Sequence, residues 1–248
     1  MRILLVNPNM TQAMTDTMSD IARGLAGDRA EIVPLTATSG FPYIASRAEA
    51  QVAGGIALGM IAEHIEDVDA VVIAAFGDPG LAGAREIFDV PVVGMAEAAV
   101  LTAAMLGERL SIVTFSPVMR RWYTDCVHAT GLGARFAGVR TPDAHGDDVA
   151  NAARDMRAEL VALARRAVAE DGADVVILGG APLAGLAPEV ASEIPAIVID
   201  PIAAAVAQAM TLASLRLRLE GRACKPVAKG SVGLPPALSR VIAHEAAG

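Results

Sequence analysis

Two stretches of this chain hold residues that could do chemistry at the end of a strand. The first is Val71-Val72-Ile73-Ala74-Ala75-Phe76-Gly77-Asp78-Pro79-Gly80-Leu81. It returns in the second half as Val176-Ile177-Leu178-Gly179-Gly180-Ala181-Pro182-Leu183-Ala184-Gly185-Leu186. In both, a β-branched run is followed by a turn of small residues, a proline and a helical pattern. Uninterrupted apolar residues suit a parallel strand buried on both faces. The start of the following helix leaves backbone N–H groups unpaired, and these attract anions and carboxylates. Pro79 and Pro182 are predicted at the first helical position, where a missing N–H costs nothing. Asp78 is the one titratable side chain in either turn. It is the leading candidate base, unless it is a turn residue that binds its own loop through side-chain-to-backbone bonds.

Other polar residues fall where such a cleft could use them. Asn7 and Asn9 follow the first strand, where open α/β sheets bind ligands, and could equally serve as caps. The run Ser116-Pro117-Val118-Met119 echoes Asn7-Pro8-Asn9-Met10. Tyr43 sits in a loop with Phe41, either closing over a small ligand or anchoring the loop. Glu97 lies at a helix N-terminus, where the dipole favours its charge. It is a candidate carboxylate at the site or a helix-end residue. Tyr123, His128 and Asp200 complete the set of possible acid/base groups. No Walker loop, Gly-x-Gly-x-x-Gly or Gly-x-Ser-x-Gly pattern is present, and His64, His128, His145 and His244 are too scattered for a metal set.

The elements that must position these residues alternate strand and helix. Strands are expected over 2–6, 31–35, 71–73, 90–94, 109–115, 135–140, 176–178 and 196–199. Helices are expected to about 25, over 46–65, 80–87, 97–105, 117–130, 147–170 and 200–219, with a short one over 236–245. Ser46-Arg47-Ala48-Glu49 fits a capping box. Gly54, Gly55 and Gly59 within the second helix point to a close neighbour. Met119, Trp122 and Cys126 share a helix face, which places Cys126 on the buried side. His145 falls in a Gly/Pro/Asp-rich loop.

The 248 residues are 54% hydrophobic and 3% aromatic, so the core rests on Ala, Val, Ile and Leu. No apolar run approaches the roughly 20 residues of a membrane span, and no signal peptide is evident. A net charge of −8 argues against nucleic acid. The two cysteines, Cys126 and Cys224, form no disulfide or metal pattern, which suits a cytoplasmic protein.

The order and spacing of several short motifs resemble the hydantoin and allantoin racemase branch of the aspartate/glutamate racemase superfamily. They are Asn7-Pro8-Asn9, Phe76 through Leu81, Gly94 through Ala99, Leu106-Gly107 with Ser111 through Thr114, Leu178-Gly179 with Ala184-Gly185-Leu186, and Asp200 through Ala205. The resemblance covers roughly residues 1–215. It implies an α/β fold of two pseudo-symmetric lobes, each a mostly parallel sheet flanked by helices, with the active-site cleft between them. Residues 1–96 plus about 202–248 would form one lobe and 97–201 the other. It also implies a cofactor-independent enzyme, a small-molecule substrate and a homo-oligomer.

In that family each key strand ends in a cysteine, and the two thiols act on opposite faces of a carbon acid. Here those positions hold Ala75 and Gly180. The binding turns remain: Phe76, Gly77, Ala181 and Pro182, with Asn7, Asn9 and, by resemblance, Thr114. Small residues at 75 and 180 would enlarge the cleft. Three readings stay open. The first is a racemase-type enzyme on a hydantoin-like cyclic amide or an amino-acid-derived carboxylate, without the two-thiol mechanism. The second is a thiol-independent hydrolase, decarboxylase or other lyase in the same cleft. The third is an inactive small-molecule-binding relative.

Overall fold

The computed structural model describes residues 1–143, 149 and 151–245. Its first sheet contains β1 (Arg2–Asn7), β2 (Glu31–Thr36), β3 (Ala70–Ile73) and β4 (Val92–Gly94), all parallel, in the order β2-β1-β3-β4. The helices of this half are α1 (Gln12–Ala26), α2 (Arg47–His64), α3 (Leu81–Ile87) and α4 (Met95–Leu106). The second sheet repeats the plan with β5 (Leu110–Val113), β6 (Phe136–Arg140), β7 (Val175–Leu178) and β8 (Ile197–Ile199), parallel and ordered β6-β5-β7-β8. Around it lie α5 (Arg120–Ala129), α6 (Ala152–Asp155), α7 (Arg157–Asp171), α8 (Leu186–Val190) and α9 (Pro201–Ser214), with α10 (Pro236–Ala243) near the end of the chain. The fold is thus the expected α/β pair of parallel sheets flanked by helices. β3, β5 and β7 are buried along their whole length, as apolar runs without alternation require.

Strand pairing sets the internal correspondence. Ile3 pairs with Ala70 and Val6 with Ile73, while Leu110 pairs with Val175 and Val113 with Leu178. Asn7 therefore corresponds to Thr114 and Asn9 to Ser116. The expected echo of Asn7-Pro8 in Ser116-Pro117 is two residues out of step. The shared Pro dipeptide is misleading, because pairing between buried strands sets the register.

Helix entry is handled differently in the two halves. Asp200 is the N-cap of α9, and its Oδ1 accepts from Ile202 N (2.9 Å) and Ala203 N (3.2 Å). Its Oδ2 accepts from Gly185 N at 2.6 Å, tying the β7 turn to α9. The matching N-cap of α4 is Gly94, and the carboxylate comes instead from the β3 turn. Asp78 accepts from Ala96 N and Glu97 N, both at 2.8 Å. A Cβ on Gly94 would lie 2.4 Å from Asp78 Cγ, so the glycine makes room for the carboxylate.

Proline does not open either short helix. Gly80 and Gly185, both in the left-handed region, are the N-caps of α3 and α8. Pro79 precedes its cap, and Pro182 lies in a single 3-10 turn (Ala181–Leu183). The turn needs a positive φ just before the helix, which proline cannot supply.

The capping box at α2 forms: Ser46 accepts from Glu49 N at 3.2 Å, and Glu49 reaches back to Ala45 N at 2.6 Å. Of the α2 glycines, Gly54 has the close neighbour. A Cβ there would meet Gly80 N at 2.9 Å, whereas at Gly55 it would meet nothing. A 3-10 turn (Pro117–Met119) precedes α5. Its buried stripe is Met119, Tyr123 and Val127, with Trp122 beside it, so Cys126 lies at the stripe's edge and is half-buried, not in the core. α9 ends at Ser214, short of 219. Leu215 and Leu217 are exposed, so further helix would bury nothing. The expected helix start at Asp147 and Asp148, and the His145 loop, lie outside the described residues.

The two halves interlock. α4, which follows the first sheet, packs on β7, β5 and β8 of the second, whereas α9, which follows the second sheet, returns to α1, β3 and β4 of the first. One cluster of buried side chains runs through both, from Ile3, Leu5 and Val72 to Leu110, Ile112 and Ile177. α10 packs on α2 and buries Leu238 among Ala57, Ile61 and Phe88.

Candidate functional site

The C-terminal ends of β1, β3, β5 and β7 converge between the sheets. Polar residues are buried there: Asn7, Asn9, Thr114 and Ser116 are all at most 5% exposed. Asn7 is fully engaged. Its Nδ2 donates to Asn9 Oδ1 (3.0 Å) and Thr15 Oγ1 (2.9 Å), and its Oδ1 accepts from Asn9 N (3.2 Å). Asn9 Oδ1 also accepts from Thr11 N, which begins the turn into α1. The remaining Asn9 donor, Nδ2, has only the Met14 sulfur at 3.8 Å. Asn7 therefore holds Asn9, and Asn9 has the amide with capacity to spare. Thr114 Oγ1 is buried with no well-formed hydrogen bond among the described residues. Such a group calls for a ligand or water.

Backbone donors add to this. Among the described residues the N–H groups of Phe76, Gly77, Gly180 and Ala181 have no protein acceptor. Two short turns, one from each sheet, thus present free N–H groups where oxyanion stabilisers would stand.

The centre is filled by aromatic rings. Phe76 reaches across from the β3 turn, and its Cε1 would lie 3.3 Å from a Cβ on Gly179. Phe76 packs on Tyr123 with centroids 4.6 Å apart, and Tyr43 packs on Phe115 at 5.9 Å. A Cβ on Gly180 would meet Phe115 Cε1 at 2.9 Å and the Tyr123 hydroxyl at 3.5 Å. The absence of a side chain at 180 therefore does not leave an open cleft, because Phe115 and Tyr123 occupy the space. The open volume lies beyond Tyr43 and Phe115, a cavity of about 660 Å³ whose wall includes Val118, Met119 and Trp122, with Arg47 at the rim. Arg47 is bound to Asp125 across the two halves.

Two expected site residues stand elsewhere. Both oxygens of Asp78 hold the N-terminus of α4. The residue is half-buried, with its carboxyl turned inward against Gly94. Burial pushes that carboxyl up to about 7, against the pull of the two N–H bonds and of Arg85. Glu97 forms a bidentate pair with Arg85, which also donates to Val92 O, and it does not line the cleft. Its helix-end position was legible, but its partner comes from α3 and was not.

Sequence reasoning had Tyr123 among the possible acid/base groups but did not bring it to the cleft. The spacing of Met119, Tyr123 and Val127 was the available signal. Phe115 and Trp122 were also missed. Cys126 lies near Asp78, and burial pushes its thiol up to about 12, with Asp78 and Asp125 adding to the effect. That thiol belongs to α5 and does not stand at either strand end. Among the described residues no cluster of His, Cys, Asp and Glu could hold a metal ion, and no helix is long and apolar enough to cross a membrane.

These features define a two-lobed α/β protein of paired parallel sheets, with polar groups and free N–H donors facing each other at the strand ends. The chain belongs to the Asp/Glu/hydantoin racemase family, whose sequence pattern matches residues 3–209. It is 36% identical to the hydantoin racemase of Pseudomonas sp. (strain NS671) over 87% of each chain. The solved allantoin racemase from Klebsiella pneumoniae superposes with a TM-score of 0.87 at 33% identity, covering 96% of this chain and 98% of that one. Allantoin racemase from Pseudomonas fluorescens gives 0.87 at 32% identity, covering 94% of this chain and all of that one.

Proposed function

We propose that the protein is a cofactor-independent racemase-family enzyme that moves a proton at the carbon next to a carbonyl of a hydantoin-like cyclic amide. The observation that carries this reading is the set of donors at the strand ends: the N–H groups of Phe76, Gly77, Gly180 and Ala181, without a protein acceptor among the described residues, together with Asn9 Nδ2, bound only to the Met14 sulfur, and the buried Thr114 Oγ1. A cyclic amide offers two carbonyl oxygens for such donors, and its enolate oxygen would gain most from them. The named relatives are hydantoin and allantoin racemases, which supports the same substrate class. The two-thiol route is not open, since the only cysteines are Cys126 and Cys224. The adjoining cavity, walled by Tyr43, Phe115, Met119 and Trp122, suits an apolar ring substituent better than a polar ureido chain.

The test is proton NMR in D2O with 5-benzylhydantoin, 5-methylhydantoin and allantoin. Loss of the ring C–H signal from an otherwise intact compound, fastest for the benzyl derivative, is expected. New product signals would instead indicate hydrolysis or cleavage. A panel that stays unchanged would sink the reading.

A further inference from the structure

The site is built on a pseudo-twofold plan, yet its two strand ends are not equivalent. Just past the β3 end stands Ala75, buried. The one titratable group in that turn is Asp78, and both its oxygens are committed to α4. At the β7 end, Gly180 has no side chain, and a hydroxyl from another element takes its place. The Tyr123 oxygen lies 3.5 Å from where a residue-180 Cβ would be, within the reach of a side chain at that position. Tyr123 is 1% exposed, and its ring is fixed by Phe76 on one side and Trp122 on the other. Its hydroxyl faces those of Tyr43 and Thr114.

We propose that Tyr123 is the single acid/base group of the site and acts on one face of the substrate carbon only. This rests on the cyclic-amide reading above. The Tyr123 phenolate takes the ring C–H proton, the C–H electron pair moves into the enolate, and the enolate oxygen is held by the turn N–H groups. The same phenol returns a proton to the same face after exchanging it through Tyr43, the half-buried hydroxyl beside the cavity. Ala75 offers no titratable side chain at the β3 end, so the cycle exchanges hydrogen without inverting the centre. Only the enantiomer whose C–H points toward β7 reacts.

The pH dependence follows from the surroundings. Tyr43 from the loop after β2, Thr114 from the end of β5 and Cys126 from the tyrosine's own helix face this phenol. Burial first, and Tyr43 and Cys126 after it, hold its proton on well above the ordinary phenol value. The reactive phenolate is therefore scarce at neutral pH, and the rate should climb about tenfold per pH unit through the neutral and mildly alkaline range.

The experiment follows each enantiomer of 5-benzylhydantoin separately in D2O, by NMR for C–H loss and by chiral chromatography for inversion, across pH 7 to 9. One enantiomer should lose its C–H at least about tenfold faster than it inverts. Y123F, whose ring still packs on Phe76, should keep its melting temperature and its ligand-induced line broadening. It should lose exchange by about 100-fold or more, together with the pH slope. A folded Y123F that exchanges like the wild type overturns this assignment alone, as does equal exchange and inversion of both enantiomers. A wild type that exchanges nothing overturns the cyclic-amide reading as well.

Discussion

Asp78 and Gly180 are the residues whose replacement separates structure from chemistry. The folded-state value of the Asp78 carboxyl, about 7, stands above its ordinary 3.8. The folded protein therefore keeps that proton longer than the unfolded chain does. The associated stability is complete below the ordinary value, declines as pH rises, and is lost above about 7. The partial exposure of the residue softens the effect. Asp78→Asn cannot ionise and retains one acceptor for α4. The wild-type melting temperature should fall relative to Asp78→Asn as pH goes from about 4 to 7.5. Parallel curves across that range would mean that burial does not govern this carboxyl.

Gly180 has φ of +124° and Phe115 Cε1 at 2.9 Å from its would-be Cβ. Gly180→Cys should destabilise the protein by about 1–3 kcal/mol in urea unfolding. Ala75→Cys, at a position without a positive φ, should cost less. Restoring a thiol to the second strand end is therefore a backbone problem before it is a chemical one.

At the scale of elements, the glycines of α2 give a matched pair. Gly54 faces the backbone of Gly80, which cannot yield as a side chain could. Gly54→Ala should destabilise by about 1–3 kcal/mol by pushing α2 off the β3 turn. Gly55→Ala, with nothing within 4 Å, should stabilise by about 0.5–1 kcal/mol. Thermal melts of the two variants decide both. Both glycines interrupt the helix pattern alike in the sequence, and only the tertiary neighbour tells them apart.

That contrast marks where sequence reading succeeds on this chain. The cores of β3, β5 and β7 were legible to within a few residues, because strands buried on both faces must be written as unbroken apolar runs. Ser46 and Asp200 announced their helices, since their partners are a few residues away. Tyr123 at Gly180, Arg85 on Glu97 and Phe76 across Gly179 were not legible. Each depends on how separate elements meet. The short helices misled for a related reason: a proline near a helix start is a local signal, but Gly80 and Gly185 take the positive φ that sets the true boundary.

For the molecule as a whole, the crossed positions of α4 and α9 decide how it comes apart. Each sheet is covered by a helix that follows the other sheet's strands, or returns to it from them, and one apolar cluster passes through both. Separating the halves would strip both sheets at once. Calorimetry should therefore show one cooperative unfolding transition, with equal calorimetric and van't Hoff enthalpies. Two resolved peaks would show that the lobes are independent.

The two solutions to helix entry have a further consequence. In one half the capping carboxylate, Asp200, belongs to the helix it starts. In the other, the carboxylate comes from the neighbouring turn and the helix begins on Gly94. The halves share a blueprint but not their fastenings, so α9 with Asp200 grafted in place of α4 would bring two carboxylates to one joint, and α4 with Gly94 grafted in place of α9 would bring none. The twofold likeness survives as shape, while the parts have ceased to be interchangeable.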